Sequence, residues 1–82
     1  MVSTLSSCII VSRKHIPSLL HLTEDDIPLI GHMAEVAGKL AKEHGIADGG
    51  YRLVINCGDD AGQAVPHLHM HVLGGRVLKW IH

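Results

Sequence analysis

Val65-Pro66-His67-Leu68-His69-Met70-His71-Val72-Leu73 is the stretch on which this sequence turns. Its three histidines alternate strictly with apolar residues. In a β-strand successive side chains point to opposite faces, so His67, His69 and His71 share one face and Leu68, Met70 and Val72 the other. The apolar set is suited to a core and the histidine set to a surface. Pro66 stands near the strand's start, where a missing N–H does least harm. Gly74-Gly75-Arg76 ends the strand, and Val77 to Ile81 reads as a short final one.

Tyr51-Arg52-Leu53-Val54-Ile55-Asn56 alternates as a second strand, joined to the first by the loop Cys57 to Gln63 with Gly58 and Gly62. Before it lies a long helical pattern. Ile27, Ile30, Ala34, Ala37 and Ala41 form one apolar stripe, with Leu29, Met33, Val36 and Leu40 beside it. His32, Glu35, Lys39 and Lys42 fall on the opposite face, and Glu35 precedes Lys39 by four, the favourable order. Thr23-Glu24-Asp25-Asp26 is the helix start, with Thr23 as cap and the acids at the positive end of the dipole. Pro28 is tolerated only within the first turn. His44-Gly45-Ile46 is the stop, Gly45 taking the left-handed position and Ile46 folding back. Earlier still, the β-branched run Cys8-Ile9-Ile10-Val11 reads as a strand ending in Arg13-Lys14. The order β-α-β-β predicts a single domain over 1–82 of the α+β class, an antiparallel sheet with one central helix packed on it.

Eighty-two residues with no Phe, one Tyr and one Trp must build an aliphatic core, and so small a chain invites self-association. Seven basic residues against eight acidic ones give a formal charge of −1, which does not provide the basic stripe of a nucleic-acid binder. No apolar run is long enough to span a membrane. Two cysteines are too few for a disulfide framework, so the expected setting is the reducing cytoplasm.

Three alternating histidines admit three readings. For a metal, residues i and i+2 lie roughly 6.6 Å apart, which places His67 and His71 about 13 Å apart at the backbone. One zinc ion with bonds of about 2.0 Å reaches two such neighbours, and Cys57, Asp59 or Asp60 would have to complete the set without a recognisable ligand spacing. The second reading is three solvated histidines without a role, as is natural for His15, His21, His32, His44 and His82. The third is nucleophilic catalysis. A neutral imidazole is a good nucleophile near pH 7 when its other nitrogen is protonated and held by a carbonyl. Flanking histidines can donate to an anionic group and to the leaving atom, an arrangement suited to a phosphoryl centre. Backbone N–H groups around Gly58, Gly62 and Gly74 are candidate further donors.

The segment GQAVPHLHMHVLGGR closely resembles the signature of the histidine-triad (HIT) family, and YRLVINCG resembles that family's asparagine-bearing strand. SRKHIPSLLHLTEDDIPLIGHMAEVAGKLAKEHGI is similar to the strand end and central helix of the same domain. LGGR followed by Trp80 resembles the Hint branch in particular.

The resemblance implies a metal-free hydrolase or transferase, without cofactor, acting on purine nucleoside phosphoramidates or aminoacyl-adenylates through a nucleotidyl-histidine intermediate. On matching positions His69 is the nucleophile, His71 helps hold the α-phosphate and leaving group, and the carbonyl of His67 orients His69. Asn56 matches the asparagine near the phosphate, and Gln63 lies in the phosphate-side loop. The implied ligand is a purine nucleotide of the AMP type and the implied assembly a homodimer, with the Trp80 tail reaching the partner's site. Three positions depart from the family pattern. Ser7 stands where a further histidine is usual, Ser12 where proline is usual, and Ala64 where a hydroxyl is usual. The family's N-terminal helix and hairpin, which form much of the base and ribose pocket, are expected to be lacking. An impaired nucleotide-binding or protein-interaction module is therefore the alternative.

Overall fold

The structure, a computed structural model, describes residues 6–79. Strand β1 (Ser6–Val11) is followed by helix α1 (Ile27–Glu43), strand β2 (Tyr51–Val54) and strand β3 (His69–Gly74). The sheet has the order β1-β3-β2, antiparallel throughout, so the histidine-bearing strand is central. This is the α+β arrangement expected from the pattern. The segment expected as a final strand is irregular from 77 to 79, and its last residues, with the Trp80 tail, lie outside the described residues.

The core lies between one sheet face and α1. Leu68, Met70 and Val72 are buried against Ile16, Met33, Ala37, Ala41 and Ile46, with Cys8 and Ile10 of β1 packed at the side. The helix meets the sheet along Met33, Ala37 and Ala41, a line running through the two apolar stripes rather than along either. Ile27 and Ala34 consequently stay exposed. A step of four residues advances slightly beyond one full rotation, so Met33, Ala37 and Ala41 form one narrow line against the three-stranded sheet.

Both helix ends follow from local chemistry. A 3₁₀ turn at Glu24–Asp26 leads into α1, and Pro28 falls in the first turn of the α-helix. Thr23 and Asp26 cap one another in a reciprocal box: the Thr23 side chain faces the Asp26 backbone N–H, and Asp26 Oδ2 accepts from both the Thr23 N–H and the Thr23 hydroxyl at 3.0 Å. At the far end Gly45 has φ +72°, and the Ile46 N–H donates to the Ala41 carbonyl at 2.9 Å, which buries Ile46.

Two strand boundaries differ from expectation. β2 stops at Val54, leaving Ile55 and Asn56 outside the ladder, and β3 starts at His69 rather than Val65. β1 ends at Val11, opposite His69, so residues before His69 have no strand beside them. Pro66 has no N–H to offer, and the Leu68 N–H donates to the Ile16 carbonyl in the connection that follows β1.

Candidate active site

The sheet face turned away from α1 carries the histidines. His69 pairs with Val11, and His71 lies between Ile9 and Val54, so the two imidazoles emerge among aliphatic side chains. Their ring centroids are 5.1 Å apart, edge to face at 74°. His67 was expected on the same strand face. It lies instead in the irregular segment before the strand, where its ring meets the turn after β1.

That position fixes the hydrogen bonding. His69 Nδ1 is 2.7 Å from the His67 carbonyl oxygen. A carbonyl only accepts, so Nδ1 carries the proton and the lone pair of His69 resides on Nε2. His67 Nε2 is likewise 2.7 Å from the Ser12 carbonyl oxygen, which assigns its proton to Nε2. His15 stacks edge-on against His67, with centroids 5.2 Å apart.

Asn56 is half-buried just beyond the end of β2. Continuing the β2–β3 register by two residues brings it level with His69. Gln63 has its amide committed to the loop: Oε1 accepts from Gly58 N–H at 2.9 Å, while Nε2 donates to the Pro17 and Val65 carbonyls at 2.7 and 3.1 Å. Gln63 therefore ties the loop to the connection after β1 and to the start of the histidine segment. The Gly58 and Gly62 N–H groups, expected as free donors, are already engaged, by Gln63 Oε1 and by the Asp59 carbonyl.

Ile9, Val11, Val65, His67 and His69 line a cleft of about 180 Å³. Pockets that enclose drug-sized ligands run from roughly 300 Å³ upward, so this cleft holds only part of such a molecule. Ile9, Val11 and Val65 around it are 60%, 56% and 58% exposed. Among the described residues no three His, Cys, Asp or Glu side chains converge as metal ligands. No helix among them is long and apolar enough to cross a membrane.

Two contacts that no local pattern signals support the histidine segment. Ser12, buried at 5% exposure, meets His67 across 55 positions. Asp26, also buried, pairs with Lys14 at 2.5 Å. The Lys14 hydrogen bond, followed by that of the Thr23 N–H, holds the Asp26 carboxyl below its ordinary value. This pair fixes the turn after β1 to the start of α1, and the same turn carries Ser12. The acid-rich helix start was a visible signal for Asp26, whereas nothing in the sequence marked its partner.

The HIT domain family matches residues 6–78. A HIT-like protein of Chlamydia pneumoniae is 47% identical over 70 residues, covering 85% of this chain and 63% of that protein. A HIT-like protein of Synechocystis is 43% identical over 72 residues, 88% of this chain and 62% of its own length. The chain thus spans a little under two thirds of these relatives. Among solved structures, a HIT family hydrolase from Legionella pneumophila superposes with a TM-score of 0.88 at 39% identity, covering 92% of this chain and 67% of the other. A histidine triad protein from Clostridium difficile superposes at 0.87 with 37% identity, covering 93% and 66%.

Proposed function

This chain belongs to the HIT domain family, and we propose that it is a nucleotide hydrolase or transferase of the Hint branch, cleaving nucleoside 5′-phosphoramidates or adenylates through a nucleotidyl-histidine intermediate. The observation that carries the reading is the His69 Nδ1 bond to the His67 carbonyl. It supplies the one thing an imidazole nucleophile requires, an unprotonated nitrogen directed away from its own backbone.

In the proposed reaction the Nε2 lone pair of His69 attacks the α-phosphorus of a nucleoside 5′-phosphoramidate or an acyl-adenylate. A phosphorus–nitrogen bond forms to His69 as the bond to the leaving amine or carboxylate breaks. His71, its ring adjacent to that of His69, donates to the phosphate and to the departing atom. Water then attacks the nucleotidyl-histidine and returns Nε2 with its lone pair, releasing the nucleoside monophosphate. Asn56 contributes a donor near the phosphate, and Gln63 acts by shaping the loop that faces it. No cofactor takes part. The protein is proposed to work in the cytoplasm as a homodimer, with a purine nucleotide as ligand.

Incubation with an adenosine phosphoramidate should add one nucleoside monophosphate to the intact mass, on His69, and turnover should follow. Neither adduct nor turnover from folded protein would sink the catalytic claim.

The shallowness of the cleft favours one competing reading, an impaired nucleotide-binding or protein-interaction module. Calorimetry with AMP separates them: binding that survives His69→Ala, combined with zero turnover in the parent protein, favours the module.

A further inference from the structure

Ser12 stands between the turn after β1 and the histidine segment, and its two oxygens face two different tasks. Its hydroxyl donates to the Lys14 carbonyl at 2.8 Å, closing a small turn two residues long. Its carbonyl accepts from His67 Nε2–H at 2.7 Å, and its Oγ lies 3.4 Å from the same nitrogen as a weaker second acceptor. The residue is 5% exposed, so water does not compete effectively for these bonds. The next link is the His67 carbonyl, which accepts from His69 Nδ1–H.

We propose that Ser12 is a positioning residue for the His69 nucleophile, acting through His67. The hydroxyl clamp on Lys14 keeps the Ser12 carbonyl directed at His67. The ring of His67 is thereby held at one end by Ser12, while its backbone carbonyl at the other end holds His69. Each link in the series Lys14 carbonyl, Ser12, His67, His69 pairs one donor with an acceptor that has no proton of its own, so the series can be filled in only one way. Rotation of any member leaves a half-buried donor without a partner. The Lys14–Asp26 pair anchors the outer end of the series to the helix start. Ser7, the position where the family pattern has a further histidine, pairs with Leu73 at the other end of β1, four positions along the ladder from the Val11–His69 pair. It lies too far along the strand to do this work, and Ser12 provides a contact to His67 from a different point in the chain.

The inference rests on the catalytic reading for its rate arm, so the test has a second arm that does not. Ser12→Ala and Ser12→Thr are compared with the parent protein in two measurements, after thermal melts show each to be folded. The first is long-range ¹⁵N–¹H correlation of the imidazoles, with His67 and His69 assigned by substitution. The parent should show a single tautomer at each, protonated at Nε2 in His67 and at Nδ1 in His69. Ser12→Ala should move His69 towards a mixture of tautomers, and Ser12→Thr, which keeps the hydroxyl, should restore the parent pattern. The second is hydrolysis of an adenosine phosphoramidate across pH. There Ser12→Ala should lower kcat about tenfold with KM within about twofold, the kinetic equivalent of one lost neutral hydrogen bond, and displace the pH profile. Where Ser12→Ala fails to fold, Ser12→Cys replaces it, being nearly isosteric with a much weaker donor. Imidazole signals of Ser12→Ala identical to the parent's, or Ala and Thr variants that behave alike, overturn the proposal. A parent protein with ordered tautomers and no turnover would refute the catalytic reading and leave the positioning of His69 by Ser12 standing.

Discussion

Leu68 sits between His67 and His69 and is 1% exposed, so its removal should damage stability and site together. Leu68→Ala deletes three carbons from the buried cluster, a transfer loss of roughly 2.4 kcal/mol at about 0.8 per methylene. Ile16, Met33 and Met70 close around the site, and a residual cavity adds to that loss, which gives about 3 kcal/mol in all. Eighty-two residues carry a total stability of roughly 4–12 kcal/mol, so the loss is a large share of it. In a domain of this size such a change lowers Tm by about 12–24 °C. The backbone bond from Leu68 N–H to the Ile16 carbonyl fixes the height of the segment, so loosening the side chain should also loosen the His67 carbonyl from His69. Circular dichroism during urea and thermal unfolding measures the first effect, with the 85%-exposed Leu20 mutated to Ala as a control that should stay within about 0.5 kcal/mol. A Leu68→Ala loss below about 1 kcal/mol would refute the view that the triad segment is held from beneath by the core.

Gly74 ends β3 under the turn after α1, and a Cβ there would lie 2.8 Å from Ile46 Cδ1 and 3.2 Å from the Gly50 carbonyl oxygen. Gly74→Ala should therefore cost about 1–3 kcal/mol in denaturant unfolding. The Asp26 carboxyl is held below its ordinary value, so its contribution is present above the unfolded value of 3.8 and is lost as pH falls through the folded one. The stability advantage of the parent protein over Asp26→Asn should accordingly be constant near neutrality and shrink below about pH 4, as measured by urea titrations at each pH. His69→Ala should abolish the nucleotidyl adduct in intact-mass spectra while leaving the far-ultraviolet spectrum unchanged, because its ring is half-exposed on the face opposite the core.

The features legible in the sequence are those that local rules control. The alternation from Leu68 to Val72 identified both faces of β3, and the apolar period located α1 between an acid-rich start and Gly45. His69 and His71 were recognisable for the same reason, since a strand presents every second residue to one side. His67 belonged to that pattern only on paper. Its place depends on where β1 stops, and the end of a ladder is set by the partner strand rather than by the residue's own neighbours.

By itself, then, the sequence determined the element order, the core face of the central strand, and the histidines offered to the other side. Each of these is a short-range consequence of side-chain period, turn chemistry and helix capping. Only the tertiary structure decided that His67 leaves the strand, that Ser12 receives its ring across 55 positions, that Lys14 answers Asp26, and that Gln63 ties its loop to Pro17. Those contacts join segments whose meeting depends on how the connection after β1 crosses the start of β3. A hydrogen bond needs its two atoms within about 3 Å, and no local pattern encodes which distant backbone will be found there.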